Sequence, residues 1–199
     1  MRDQALALSG LLSRKVGGSS VYPEQPDGLW RAAFNGERTW KTSEGEDRYR
    51  RGIYTFWRRT VPYPGMAAFD APSRESCTFR RVPTDTPLQA FVTLNDPVFV
   101  ECAQALGRTL GLRRGDLRER LSDGYRLVTG HPPGSNQLQA LIRLFETERL
   151  RQQQQLPSAT RLATEPLGPL PQGLDPAEAA AWTLIGNVLL NLDAVLTRG

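Results

Sequence analysis

The sequence predicts a mainly α fold, an irregular helical domain with long ordered loops and little or no sheet. Three observations carry this expectation. From residue 97 onward, apolar residues recur at helical spacing in one segment after another. No alternation of apolar and polar residues persists beyond a few positions. The stretches between the apolar runs are rich in Pro, Gly, Ser and charge, the composition of ordered loops. With 199 residues, 39% of them hydrophobic, the chain is long enough to bury a core without disulfides or metal, and a single domain over 1–199 is the simplest expectation.

The elements follow in order. Residues 3–13 read as a short helix with Ala5, Leu8, Leu11 and Leu12 on one face, ended by Gly17 and Gly18. Residues 17–25 are Gly, Ser and Pro rich, with Val21 and Tyr22 extended before Pro23. A turn of helix is expected over Leu29–Phe34. Asp47–Val61 predicts an amphipathic helix, because Tyr49, Ile53, Phe56 and Trp57 fall at i, i+4, i+7 and i+8, with Pro62, Pro64 and Gly65 stopping it. A polar stretch, Asp70–Asp96, then enters a short helix over Pro87–Leu94, with Thr84, Asp85 or Thr86 as cap and Pro87 in the first turn. Ala90–Leu94 alone also fits a strand.

Asn95-Asp96-Pro97 reads as a break that caps the next helix, Pro97 to about Leu110, on which Phe99, Cys102, Ala103, Leu106 and Leu110 share a face. Two further helices, Asp116–Thr129 and Asn136–Gln155, are separated by Gly130-His131-Pro132-Pro133-Gly134 and predict a helical hairpin. Residues 156–174, with Pro157, Pro166, Pro169 and Pro171, read as a linker. A final helix starts at Asp175-Pro176 and runs through Trp182, Ile185, Leu189, Leu192 and Leu196. Leu184, Val188, Leu190 and Val195 widen its apolar stripe, so it should be buried on more than one side.

Composition excludes several function classes. No apolar run approaches the ~20 residues of a membrane span, and no signal peptide is visible. Two cysteines, Cys77 and Cys102, and one histidine, His131, do not make a zinc knuckle, and no CxxCH occurs for covalent haem attachment. No metal and no cofactor is therefore expected in this chain. A Cys77–Cys102 disulfide is conceivable in an oxidising compartment, but free, partly buried thiols are the simpler expectation. The net charge of +4 is uneven. Between Arg48 and Arg81 eight arginines face only Asp70 and Glu75, a local +6 that leaves the rest of the chain at −2. Arginine favours bidentate pairing with carboxylates, phosphates or sulfates and stacking on aromatics.

Each candidate chemistry has a plain structural counterpart. In the set Arg74, Glu75 and Cys77, the cation could lower the thiol pKa, but without a neighbouring histidine an inert thiol packed under a loop locked by an Arg74–Glu75 ion pair is favoured. Tyr49, Tyr54, Trp57 and Tyr63 among arginines could clamp a nucleic acid or an anionic sugar, or form the core face of a helix. Asp70, Glu75, Asp85 and Asp96 could supply paired carboxylates, although Asp85 and Asp96 suit helix caps and Asp70 a turn. His131 is expected on a surface loop. No catalytic residue is identified.

The run RRGIYTFWRRTVPYPGMAAFDAPSRESCTFRRVPTDTPLQAFVTLNDPVFVECAQAL, residues 50–106, resembles the planctomycete cytochrome c domain-associated family, domain of unknown function 1553. The opening MRDQALALSGLLSRKVGGSSVYPEQPDGLW and the closing DPAEAAAWTLIGNVLLNLDAVLTR are similar to that family's first block and last helix. The resemblance implies the C-terminal part of a large exported, extracytoplasmic protein with haem in an N-terminal cytochrome c-like domain, and it makes those N-terminal domains the expected partners. Met1 would then be an internal methionine, and the first and last helices would expose an apolar patch awaiting a cover. The resemblance carries over no catalytic residue, only motif matches: Asp70, Arg74, Glu75, Cys77, Arg80, Arg81, Thr86, Pro87, Gln89, Asn95 and Asp96. This chain departs from the motif at Asp85, where the family has Asn, and at Cys102, where it has a small residue such as alanine.

The expected work is binding or processing an anionic polysaccharide, with a ligand or partner surface drawn from Asp70, Arg74, Glu75, Arg80, Arg81, Gln89, Asn95, Asp96, Tyr54 and Trp57. The alternative is a structural or protein-interaction domain without a ligand site. Nucleic-acid binding ranks third.

Overall fold

The computed structural model describes residues 1–33, 39–80, 82, 84 and 86–196. The fold is mainly α, with ten α-helices among the described residues and no strand beyond two isolated bridges. The chain divides into two compact units: Met1–Leu6 with Leu12–Val92, and Ala7–Leu11 with Thr93–Gly199.

The first unit is loop-rich. It holds most of α1 (Arg2–Leu8), α2 (Leu29–Ala33), α3 (Pro64–Ala67) and most of α4 (Pro87–Asn95). Its centre is aromatic. Tyr22 stacks on Phe56 at 5.0 Å and meets Trp40 edge-on at 5.0 Å, while Trp40 lies parallel to Tyr63 at 6.0 Å. The polar ends of these rings are satisfied by backbone: Trp40 Nε1 donates to the Pro23 carbonyl at 2.7 Å and the Tyr63 hydroxyl to the Glu24 carbonyl at 2.7 Å.

The amphipathic helix expected over Asp47–Val61 does not form. Two short 3-10 turns, Gly45–Tyr49 and Gly52–Tyr54, stand in its place, joined and followed by extended backbone. The reason is tertiary. The Ser13 N–H donates to the Tyr49 carbonyl at 3.1 Å, Val21 N–H to Tyr54 at 2.8 Å and Phe56 N–H to Val21 at 2.8 Å, so the segment spends its backbone groups on residues 13–21. Ile53, expected on the core face, is 85% exposed, and Arg50 is buried instead at 1%. The Arg50 guanidinium donates to the carbonyls of Lys15 and Ser19, each at 3.3 Å, and of Gly17, and it lies 3.8 Å from the Tyr54 ring centroid. Gly17 and Gly18 take positive φ in the loop so captured. The helix expected over 3–13 is likewise shorter, ending at Leu8.

The second unit is a helical bundle: α5 (Pro97–Gly111), α6 (Leu117–Thr129), α7 (Ser135–Gln153), α8 (Leu156–Thr164), α9 (Pro176–Leu190) and α10 (Asp193–Leu196). Caps set the starts. Asp96 accepts from Val98 N–H at 2.9 Å, Asp116 forms a capping box with Glu119, and Asp175 accepts from Ala177 at 2.9 Å and Glu178 at 3.0 Å. α9 is the central helix, packed by α5, α7 and α8. That accounts for its broad apolar stripe: Trp182, Ile185 and Leu189 are fully buried, and Val188 is the large apolar side chain it leaves exposed. Most of the stripe is therefore consumed within this unit, while Val188, and Leu94 whose carbonyl accepts from Asn187 Nδ2, remain exposed. Each fully buried leucine here contributes roughly 1.5–3 kcal/mol relative to exposure.

Residues 156–164, read as the start of a linker, form α8. Pro157 sits in its first turn, where no amide is needed, and Ala159 and Ala163 pack fully buried. The end of α8 is tied to α5. Gln104 donates to the carbonyls of Leu162 at 2.7 Å and Glu165 at 2.6 Å, and Arg108 donates to those of Ala163 at 2.8 Å, Pro169 at 3.0 Å and Gly168. Burial pushes the Arg108 pKa below its ordinary value. The final helix breaks at Asn191, whose amide donates back to the Asn187 carbonyl at 2.8 Å and whose oxygen accepts from the Thr93 hydroxyl.

Candidate functional site

The first unit contains a cavity of about 520 Å³. One wall is Arg2 and Asp3 of α1 facing Gly52 and Ile53. Here the Gly52 N–H donates to Asp3 Oδ1 at 2.8 Å, and the packing is tight: a Cβ at position 52 would lie 3.0 Å from Met66 Cε and 3.3 Å from Asp3 Oδ1. Arg2 is fixed by donating to the carbonyls of Arg48 and Arg50, both at 2.8 Å, and its guanidinium stands 3.7 Å from the Asp3 carboxylate.

More of the lining is built by α3 and the segment after it, which contribute Gly65, Met66, Phe69, Ala71, Pro72 and Arg74. Thr55 and Trp57 complete the lining, and each carries a buried polar atom, Thr55 Oγ1 and Trp57 Nε1, with no hydrogen-bond partner among the described residues. The Arg74 guanidinium lies 5.2 Å from the Trp57 ring centroid. Arg74 is exposed, takes φ +65 and has no acidic partner among the described residues. The wall thus combines an indole with a cation stacked on it, a pairing suited to a ring-shaped ligand bearing an anionic group.

Of the residues singled out in the sequence, Trp57 and Arg74 meet at this cavity. Asp70 and Gln89 meet elsewhere in the same unit. The Asp70 carboxylate accepts from the Thr84 N–H at 2.7 Å, the Thr84 hydroxyl at 3.0 Å and Gln89 Nε2 at 3.3 Å, while Gln89 Nε2 also donates to the Ala68 carbonyl at 3.0 Å. Thr86 and Gln89 form a reciprocal cap across Pro87 at the start of α4, with bonds of 3.1 and 3.3 Å. The described residues 71–80, 82, 84 and 86 thereby form the limbs of an arch pinned at its base, on which Glu75, Cys77, Phe79 and Arg80 are exposed. Cys77 is an exposed free thiol, not the packed one expected, and Cys102 is a free thiol buried in α5.

Tyr54 serves Arg50, and its hydroxyl accepts from the Gly17 N–H at 3.0 Å. Asn95 and Asp96 belong to the other unit, at the α4–α5 junction, where Asp96 caps α5. Arg81 and Asp85 lie outside the described residues. Sequence reasoning missed Arg2, Asp3, Thr55 and Met66, since nothing in the local pattern ties α1 to residues 50–66. Among the described residues no group of three or more His, Cys, Asp or Glu is placed to hold a metal ion, and no helix is long and apolar enough to cross a membrane.

The sequence matches the family described as Protein of unknown function (DUF1553) over residues 1–145. The chain belongs to the DUF1553 family. No curated protein and no solved structure matches it. The DUF1553 match takes in every residue of the cavity and the whole Asp70–Gln89 network, and it ends inside α7.

Proposed function

We propose that this chain is a DUF1553 module of an exported, haem-associated multidomain protein and that its first unit binds an anionic saccharide in the cavity beside Trp57. The exported, haem-associated context rests on the resemblance of residues 50–106 to the planctomycete cytochrome c-associated proteins. The ligand class rests on one observation: Arg74, without an acidic partner among the described residues, stands over the Trp57 ring at the wall of a 520 Å³ cavity. A sugar ring stacks its C–H face on an indole, and a carboxylate or sulfate on that ring would meet the guanidinium.

Calorimetric titration with an acidic tetrasaccharide, tetragalacturonate, and with its neutral counterpart, α-1,4-galactotetraose, tests this. Preference for the acidic sugar supports it, and equal or absent binding of both removes it. The interaction-domain reading is favoured by a different observation, the arch residue Phe79, which is fully exposed beside the exposed Arg80. Self-association or partner binding abolished by Phe79→Ala would support that alternative.

A further inference from the structure

The geometry assigns Asp70 a positioning role: it holds the first limb of the arch so that Arg74 stands over Trp57. This rests on the reading of the cavity as an anion site. Phe69, Ala71, Pro72 and Arg74 all line the cavity, yet Asp70 between them does not. Its backbone takes φ +58, a conformation that Asp and Asn tolerate better than other L residues, and this sends its carboxylate to the far limb at Thr84 and to Gln89 of α4. Four residues later Arg74 takes φ +65.

Between these two turns the limb has little freedom. Asp70 N–H donates to the Ala67 carbonyl at 3.3 Å and Ala71 N–H to Met66 at 3.0 Å, while Pro72 has a fixed φ. The direction in which Arg74 leaves the limb is thus set by the two left-handed residues and by what Asp70 grips. Without the carboxylate, Gln89 still bridges the Ala68 carbonyl and the Thr84 hydroxyl, each at 3.0 Å, but the direct grip of Asp70 on Thr84 is lost, and with it the hold that keeps Arg74 at 5.2 Å from the indole. The arginine would still be present and charged; only its place would be lost.

A double-mutant cycle between Asp70→Ala and Arg74→Ala tests this, read by titration with tetragalacturonate and with α-1,4-galactotetraose. Each single variant should weaken tetragalacturonate binding about tenfold and leave the neutral sugar unchanged. The double variant should be no weaker than Arg74→Ala, and Asp70→Asn, which keeps an acceptor oxygen and the tolerance for positive φ, should recover most of the loss. Losses that multiply in the double variant, or an Asp70→Ala loss equal for both sugars, would overturn the assignment.

A second arm needs no ligand. Arg74→Ala should shift the emission of Trp57, a shift absent in a Trp57→Phe background, and Asp70→Ala should reproduce it. If the unaltered protein binds neither sugar, the proposed function fails and this arm alone decides the positioning role. An unchanged Trp57 signal in Asp70→Ala then refutes it.

Discussion

The carbonyl of Trp182 occupies the space that a side chain on Gly107 would need: a Cβ built at 107 would lie 2.6 Å from that oxygen. Across the same contact, a Cβ at Gly186 would collide with the carbonyl of Ala103, and one at Gly111 would lie 2.9 Å from Trp182 Cδ1. Ala103, Gly107 and Gly111 recur every four residues on α5, so the two backbones of the α5–α9 pair approach as closely as the chain allows.

Gly107→Ala or Gly186→Ala should therefore destabilise the second unit. Alanine is the better helix former by about 1 kcal/mol, so the sign of the result is informative: the backbone clash should outweigh this and leave a net loss of roughly 1–3 kcal/mol. Thermal melts followed by far-UV circular dichroism will show it, and a raised melting temperature would contradict the packing.

Arg50 should prove a structural cation. Arg50→Met would leave the carbonyls of Lys15, Gly17 and Ser19 without their donor and should cost about 3 kcal/mol in urea unfolding, with faster amide exchange at Gly17. Arg50→Lys should recover only part, since an ammonium cannot span three carbonyls and also lie flat on Tyr54. Unchanged stability in Arg50→Met would contradict the clamp.

The thiols should differ in access. In the native protein, iodoacetamide should label Cys77, which is exposed, and spare Cys102, which is fully buried, with both labelled after unfolding. Peptide mapping checks this, and native labelling of Cys102 would show that α5 opens.

Sequence and structure agree where local signals act without help. Asp96, Asp116 and Asp175 each precede a helix as side-chain caps with apolar residues at helical period behind them, and all three helices form where those signals place them. They part where distant residues decide. Tyr49, Ile53, Phe56 and Trp57 have helical spacing, but the backbone of 49–56 pairs with residues 13 and 21, and Arg50 goes inside because three carbonyls of a distant loop receive it. α8 was hidden by its prolines, although Pro157 in a first turn followed by Ala159 and Ala163 is a legitimate helix start. Of the site, Trp57 and Arg74 were visible as an aromatic and a cation in the +6 segment. Arg2 and Asp3 were not, because about 50 residues separate them from the partners that give them a role.

Truncation after Gln155 should unfold the second unit, because it removes α9 and with it the cover of α5 and α7. Loss of helical circular dichroism beyond the deleted helices, with strong binding of a hydrophobic dye, is the expected outcome. A cooperative melt of the remaining bundle would contradict the central place of α9.

The claim that the Trp57–Arg74 pair is an anionic-saccharide site is tested most directly by calorimetry of tetragalacturonate on the unaltered protein, Trp57→Ala and Arg74→Ala at two salt concentrations. The account predicts binding that weakens with salt, falls about tenfold and loses its salt dependence in Arg74→Ala, and disappears in Trp57→Ala. Binding that is indifferent to both substitutions, or no binding by the unaltered protein, would contradict it.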